Sequence, residues 1–204
     1  MPTSAPGFSW SRIDTVGDVS TSATFYDNVR VPESAIVGGL NQGWRVITTQ
    51  LNYERVALCA PGPLDRLFEE VCDWARETRL ADGRRVVDQE WARLNLARVH
   101  AGLAFLRLLS WKAVWSTTAG ALNPADASAT KVFGTRFFCE AYRLLLEVMG
   151  PAGTVKRDSP EAVLQGRIER QYRAALILTF GGGTNEVQRD IISVFGLSMP
   201  RPLR

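Results

Sequence analysis

The sequence predicts a mainly α-helical protein, an antiparallel up-down helical bundle preceded by a short β-rich segment. From about residue 38 onward, apolar side chains recur every three or four residues, as they do on one face of a helix. Glycine and proline interrupt this pattern at intervals typical of turns between helices. The first 37 residues instead contain runs of threonine, aromatic and β-branched residues, which favour strands. We therefore expect two regions, 1–37 and 38–204.

The leading region is expected to form strands and turns. Its β-prone run, residues 20–30, stops at Val31-Pro32, because proline cannot continue a sheet ladder. A region with so few apolar residues is too small to form a sheet domain alone. We expect it to be the end of a β-domain whose beginning lies outside this chain.

The helical region divides at its prolines and glycines. Pro61 and Pro63 should split the first apolar stripe, and Ala81-Asp82-Gly83 predicts a loop. A second helix is expected over about 88–117, a third over 124–149 and a last one over about 185–195, with a shorter segment starting near Ser159-Pro160. Asn185 and Gln188 have the spacing of a capping box for the last helix. The residues predicted to face inward on the first two stripes include Trp44, Ile47, Leu51, Leu58, Trp91, Leu94, Leu96, Val99, Leu103, Leu106 and Trp111.

Composition excludes several functional classes. The formal net charge is only +3, and arginines alternate with acidic residues instead of gathering on one face, so we expect no nucleic-acid partner. The most apolar stretch, residues 101–115, contains Arg107 and Lys112, which argues against a membrane span. The three cysteines lack zinc-ligand spacing and fit buried free thiols in the cytoplasm, and no metal site is predicted.

The sharpest local feature is a run of three glycines, 181–183, followed by Thr184-Asn185-Glu186. Consecutive glycines allow a ligand to approach the backbone closely, and the helix that follows offers unpaired N–H groups to an anion or a carbonyl oxygen. A flexible turn between two helices would have the same sequence. No Walker or dinucleotide-binding fingerprint accompanies the run.

Together with residues 185–201, this run resembles the C-terminal signature of acyl-CoA dehydrogenases. Three other segments agree in order: residues 25–39 are similar to the exit from that family's middle β-domain, and 79–83 and 147–153 are similar to its flavin-contacting segments. The resemblance implies the helical C-terminal domain of the family, FAD as cofactor and an acyl-CoA substrate. It further implies an electron-transfer flavoprotein as electron acceptor and a homo- or hetero-oligomer, a dimer or tetramer, with a related dehydrogenase chain.

In that family, a carboxylate removes the α-proton of the thioester while the β-carbon passes a hydride to the flavin. Most members carry this base immediately before the Gly-Thr of the signature, where this chain has Gly182. Members similar to isovaleryl-, long-chain and sterol side-chain enzymes place a Glu-Arg pair on the first bundle helix, and here Glu54-Arg55 occupies that place. Glu54 also shares the stripe of Leu51 and Leu58, so we expect it to face inward. The alternative is a carboxylate that is salt-bridged or turned to solvent.

The resemblance assigns further roles. The backbone N–H of Gly182 is expected to bind the thioester carbonyl, and the missing side chain leaves room for a branched or polycyclic acyl group. Arg79 is expected to bind the FAD diphosphate, unless it is an ordinary surface residue. The substrate-binding candidates are Asn52, Tyr53, Arg55 and Gly183. The remaining cofactor-binding candidates are Gln89, Glu90, Glu147, Met149, Gly150, Pro151, Thr184, Asn185 and Glu186.

Acidic residues depart from the family pattern at Asp82, Glu90 and Glu147, and they should weaken FAD binding unless arginines compensate. Three interpretations of the chain therefore stay open. It is an acyl-CoA dehydrogenase chain with Glu54 as base, a non-catalytic partner that supplies half of a composite flavin site, or a truncated reading frame without a functional product.

Overall fold

The computed structural model describes residues 1–120 and 122–201. The chain begins with an antiparallel hairpin of β1 (Phe8–Ile13) and β2 (Thr21–Tyr26), whose register pairs Phe8 with Tyr26 and Ile13 with Thr21. This hairpin is the β-rich leading segment that the sequence predicts. Its connecting turn packs on the helical region, where Arg173 forms a salt bridge of 2.6 Å with Asp18.

The rest of the described chain is a helical bundle, as predicted. Its helices are α1 (Gly43–Ala57), α2 (Gly62–Glu77), α3 (Glu90–Thr118), α4 (Pro124–Met149), α5 (Arg167–Ala174) and α6 (Asn185–Gly196). Pro61 and Pro63 separate α1 from α2, and Gly150, with a φ of +58°, ends α4. None of the described helices has a stretch long and apolar enough to cross a membrane.

Helix α4 lies at the centre and contacts each of the five other helices of the described bundle. It closely approaches the turn between α1 and α2 at Gly134, where a Cβ atom would lie 2.6 Å from Cys59 Sγ. The core around it is built mainly from α2, α3 and α4, with Leu64, Leu103 and Leu145 among its fully buried side chains. This packing brings the C-terminal end of α1 and the start of α6 to the same region of α4.

Part of the predicted inward stripe is exposed. On α3 the residues Leu96, Val99, Leu103 and Leu106 are buried, but the predictions for Trp91, Leu94 and Trp111 are wrong, and Trp111 is 68% exposed. On α1 the predictions for Trp44 and Ile47 are wrong as well, since they are 81% and 40% exposed. The reason is that α3 carries apolar residues on more than one face, and only one of these faces packs on α2 and α4.

Cys59 lies in the core between α1 and α4, and burial raises the pKa of its thiol to about 12. Because the thiolate is the reactive form, a raised pKa keeps Cys59 protonated and inert at every pH at which the protein is handled. We expect iodoacetamide at pH 8 to leave Cys59 unmodified in the native chain and to alkylate it in urea, as measured by peptide mass spectrometry. Native alkylation at the rate of a free cysteine would contradict this packing.

Candidate functional site

The carboxylate of Glu54 faces the run of glycines. We call residues 181–184 the glycine loop. Gly182 has a φ of +67°, and a Cβ atom at this position would lie 3.8 Å from Glu54 Oε1 and 2.9 Å from Leu58 Cδ1. Glu54 is half-buried and forms no salt bridge with the described residues. The prediction that its side chain faces inward, towards the position of Gly182, therefore agrees with the geometry.

A buried lysine lies beneath this loop. Lys131 of α4 is fully buried, and its Nζ donates to the carbonyl oxygens of Gly183 (2.7 Å) and Thr179 (3.1 Å) and to Asn185 Oδ1 (2.9 Å). Thr135 also shares a hydrogen bond with the Asn185 side chain. Burial lowers the pKa of the Lys131 ammonium, because the charged form loses its hydration. This residue was not predicted from the sequence. The pattern that could have indicated it is a lysine among small residues in an apolar helix.

Gln188 holds the same loop from α6. It is fully buried, and its Nε2 donates to the carbonyl oxygen of Gly182 at 3.2 Å, whereas its Oε1 has no partner among the described residues. The predicted capping box is therefore wrong. Thr184 is the N-cap of α6, and its hydroxyl accepts from the N–H of Val187 at 3.3 Å.

Backbone N–H groups of the glycine loop lack hydrogen-bond acceptors among the described residues. Its carbonyl groups at Gly182 and Gly183 bond to Gln188 and Lys131, whereas the N–H groups of Gly182, Gly183 and Thr184 donate to no acceptor in residues 1–120 and 122–201. Backbone N–H groups without partners can bind a carbonyl oxygen that gains negative charge. A carboxylate and a set of N–H donors without acceptors in the described chain are thus present at one place.

The substrate-binding candidates on α1 divide between its two sides. Arg55 is buried beside the loop, with its Cγ 4.0 Å from the Cβ position of Gly182, and its Nη1 donates to Asn52 Oδ1 at 2.8 Å. Desolvation lowers the pKa of Arg55, and its Nε has no partner among the described residues. Tyr53, in contrast, is exposed.

The Arg79 candidate lies in the turn between α2 and α3. Its Nη1 donates to the carbonyl oxygen of Gly83 at 2.7 Å, and it forms no salt bridge with the described residues. Asp82 is paired with Arg84 at 2.7 Å, and this hydrogen-bonded pair lowers the pKa of Asp82. Close by, Gln89 caps the start of α3 and keeps a buried Nε2 without a partner among the described residues, while Glu90 is exposed.

Glu147 and the residues after it occupy the far end of α4. The Glu147 carboxylate pairs with Arg143 and accepts from Asn95 Nδ2 at 3.0 Å. Its neighbour Met149 is buried, and Gly150 and Pro151 follow the helix end. Lys131 and Glu147 are sixteen residues apart on α4, about 24 Å along the helix axis. The cofactor candidates therefore form two groups, one at this end and one, Thr184, Asn185 and Glu186, at the glycine loop.

A family model of the acyl-CoA dehydrogenase C-terminal domain matches residues 41–196. The chain belongs to the acyl-CoA dehydrogenase family. Members of this family are FAD-dependent oxidoreductases. The match covers α1 to α6, so the helical bundle described above is the C-terminal domain of an acyl-CoA dehydrogenase.

Relatives of this acyl-CoA dehydrogenase domain agree over the whole chain. It is 53% identical to the acyl-CoA dehydrogenase FadE26 of Mycobacterium tuberculosis, an alignment that covers 100% of this chain and 52% of that protein. A solved structure, the ChsE4-ChsE5 complex of Mycobacterium tuberculosis, contains a chain with 54% identity and a TM-score of 0.89, covering 98% of this chain and 52% of that one. The Tcur3481-Tcur3483 steroid acyl-CoA dehydrogenase contains a chain with 47% identity and a TM-score of 0.90, covering 98% and 51%. The chain thus spans about half the length of these relatives.

Proposed function

We propose that this chain supplies the C-terminal half of an FAD-dependent acyl-CoA dehydrogenase in which Glu54 is the catalytic base. The observation that carries the proposal is the distance of 3.8 Å between Glu54 Oε1 and the Cβ position of Gly182. In most members of the family, the base extends from the residue at the Gly182 position. A carboxylate from α1 can therefore reach the same reacting carbon from the neighbouring helix.

The proposed reaction uses two features of the site. Glu54 takes the α-proton of an acyl-CoA thioester, and the free N–H groups of the glycine loop donate to the thioester carbonyl oxygen as it becomes negative. FAD, when bound, accepts the hydride from the β-carbon. Arg55, beside Glu54, adds positive charge that stabilises the developing oxyanion.

The absence of a side chain at Gly182 supports the proposed substrate class. Glu54 approaches from α1, so no glutamate side chain extends from 182 into the site, where a Cβ atom would already lie 2.9 Å from Leu58 Cδ1. We infer a branched or polycyclic acyl group, such as a sterol side chain. The similarity to a chain of the Tcur3481-Tcur3483 steroid acyl-CoA dehydrogenase supports this inference.

The residues at the Arg79 turn fit FAD. Arg79 is a guanidinium without a salt bridge among the described residues, as a diphosphate ligand requires, and Gln89 offers a buried amide donor that lacks a partner there. The acidic departures at Asp82 and Glu147 are each paired with an arginine, so their charge opposes a diphosphate less than the sequence suggests. We propose that Arg79 binds the diphosphate and Gln89 and Glu90 lie beside it. The remaining contacts would come from Glu147, Met149, Gly150 and Pro151 and from Thr184, Asn185 and Glu186, largely of neighbouring subunits.

We infer that the chain functions in a hetero-oligomer with a related dehydrogenase chain in the cytoplasm, passing electrons to an electron-transfer flavoprotein. Two similar solved structures are complexes of two different chains. The exposed Trp44, Trp111 and Trp115 form apolar surface of the kind that a partner covers. Light scattering of the purified chain, alone and co-expressed with such a partner, should show a dimer or tetramer; a monomer in both samples would contradict this part of the proposal.

The decisive experiment is an anaerobic titration of the FAD-loaded protein with acyl-CoA thioesters, including a sterol side-chain thioester and a short straight-chain thioester. We expect the flavin absorbance near 450 nm to bleach. Bleaching only in the co-expressed complex would establish a composite site. If the partner chain bleaches equally well with this chain's Glu54 replaced, the chain is a non-catalytic assembly subunit, the second candidate that the half-length match favours.

A further inference from the structure

We propose that Lys131 is a positioning residue that fixes the orientation of the glycine loop through its buried ammonium group. The catalytic consequence of this inference rests on the proposed function, whereas the inference about the loop does not. Lys131 lies on α4, and its Nζ contacts the backbone of the glycine loop at the Gly183 carbonyl oxygen.

Every N–H donor of the ammonium group has an acceptor in the glycine loop or in the residues that flank it. Its three N–H donors have three acceptors, the carbonyl oxygens of Thr179 and Gly183 and the side chain of Asn185, all within 3.1 Å. No carboxylate pairs with it in the described part of the chain, although a buried charge without a counterion is costly. A hydrophobic side chain could fill the same space without the free-energy cost of burying a charge. The ammonium group is therefore explained by the hydrogen bonds that it donates to the loop and its flanking residues.

The loop needs such a constraint because its sequence provides none. Glycine populates positive and negative φ with similar ease, so the peptide planes of a triple glycine can rotate freely. A peptide unit is planar and trans, so its N–H points away from its carbonyl oxygen. Since Lys131 binds the Gly183 carbonyl and Gln188 binds the Gly182 carbonyl, the N–H groups of Thr184 and Gly183 are directed away from these buried donors.

The same ammonium also polarises these peptides. A carbonyl that accepts from a charged donor makes the N–H of the same peptide unit a stronger donor, particularly in a site of low dielectric. Arg55 is the other buried cation near Lys131, and Glu186 is the carboxylate whose charge acts on it, because the Cys59 thiol, with its pKa raised to about 12, is neutral. Positive potential therefore lies directly behind the N–H groups that would bind a thioester oxyanion.

The test compares Lys131→Met, which keeps the length of the side chain and removes its donors, with Ser128→Ala, which removes a buried hydroxyl one turn earlier on α4 that has no hydrogen-bond partner among the described residues. Amide hydrogen exchange is followed by mass spectrometry in the full chain. The hydrogen-bonded amides that flank the glycine loop are those of Phe180, Gly181, Val187 and Gln188. We expect their exchange to become about tenfold faster in Lys131→Met, with α2 and α3 unchanged. In the assembled FAD complex, kcat should fall about tenfold with little change in KM, because the N–H donors are misdirected in the transition state. Ser128→Ala should change neither quantity.

Two outcomes would overturn the proposal: unchanged exchange at the amides of Phe180, Gly181, Val187 and Gln188 in Lys131→Met, or faster exchange spread equally over all helices. If Lys131→Met does not fold, nuclear magnetic resonance of the wild-type chain with labelled lysine decides. The Lys131 ammonium should then give slowly exchanging protons coupled to the carbonyl carbons of Thr179 and Gly183, and a rapidly exchanging ammonium without these couplings would refute the proposal. If the wild type fails to bleach flavin while the exchange results hold, the proposed function is wrong and the positioning of the loop stands.

Discussion

Glu54→Gln should slow flavin bleaching by an acyl-CoA thioester by about 10²- to 10⁴-fold, because a general base typically contributes that much to a proton transfer. Glutamine has nearly the same shape as glutamate and keeps the half-buried position beside Gly182 and Leu58. It cannot accept the α-proton, so binding of the thioester should persist while reduction of the flavin is lost. The measurement is stopped-flow absorbance under anaerobic conditions, with substrate affinity determined separately.

Glu69→Gln is the matched control, because Glu69 is an exposed glutamate on the neighbouring helix α2. Its rate of bleaching and its thermal unfolding should equal those of the wild type. A Glu54→Gln complex that reduces flavin within about threefold of the wild-type rate, far from the loss expected for a missing base, would move the base to another residue or to the partner chain. Loss of FAD or of the oligomer in this variant would instead show a structural role.

The boundaries of the bundle follow from local sequence chemistry. Pro61 is the N-cap of α2 and Pro63 lies in its first turn, where a helix accepts proline, and α4 has the bounds that Pro124 and Gly150 predict. The end of α6 also agrees within a residue of the expected one. Proline and glycine act within one turn of the backbone. Their effect on helix ends is therefore independent of how the helices pack against each other.

Burial on α3 could not be predicted in the same way. Periodicity reveals that a helix has apolar faces, but it does not reveal whether a face meets this chain or another one. Trp111 and Leu94 belong to faces that the described chain leaves exposed, whereas Val99 and Leu103 face α4. The apolar pattern correctly predicted that this segment is a helix. It did not identify which residues are buried, because the described chain covers only part of the apolar surface of α3.

The candidate site shows the same division. The orientation of Glu54 towards Gly182 was predictable, since Glu54 shares a helical stripe with Leu58 and the C-terminal signature has a glycine at position 182. Lys131 and Gln188 were missed. The hydrogen bonds of Lys131 join residues 48 to 54 positions apart, and those contacts exist only once α4 and α6 are packed. Gln188 has the spacing of a capping residue, and only the structure reveals that Thr184 caps α6 instead.

Gly182→Val should reduce turnover of a bulky acyl-CoA by about 100-fold, because a displacement near 1 Å in a reactive complex has effects of this size. The new Cβ would lie 2.9 Å from Leu58 Cδ1 and 3.8 Å from Glu54 Oε1, so Leu58 must move and the cleft beside the base narrows. A β-branched residue at a φ of +67° also strains the backbone, and we expect a loss of about 1–3 kcal/mol in the free energy of unfolding. The measurements are denaturant unfolding and bleaching rates with bulky and short thioesters.

Gly39→Val separates the two effects. Gly39 has a φ of +92°, and a Cβ atom there meets only Gln42 Cγ at 4.0 Å, so this variant has a similar backbone strain without a contact at the cleft. It should lose stability like Gly182→Val and keep its turnover. The short thioester should lose less turnover than the bulky one in Gly182→Val, since it does not need the space beside Leu58. Equal losses for both thioesters would mean that Gly182 serves the conformation of the loop and not the size of the acyl group.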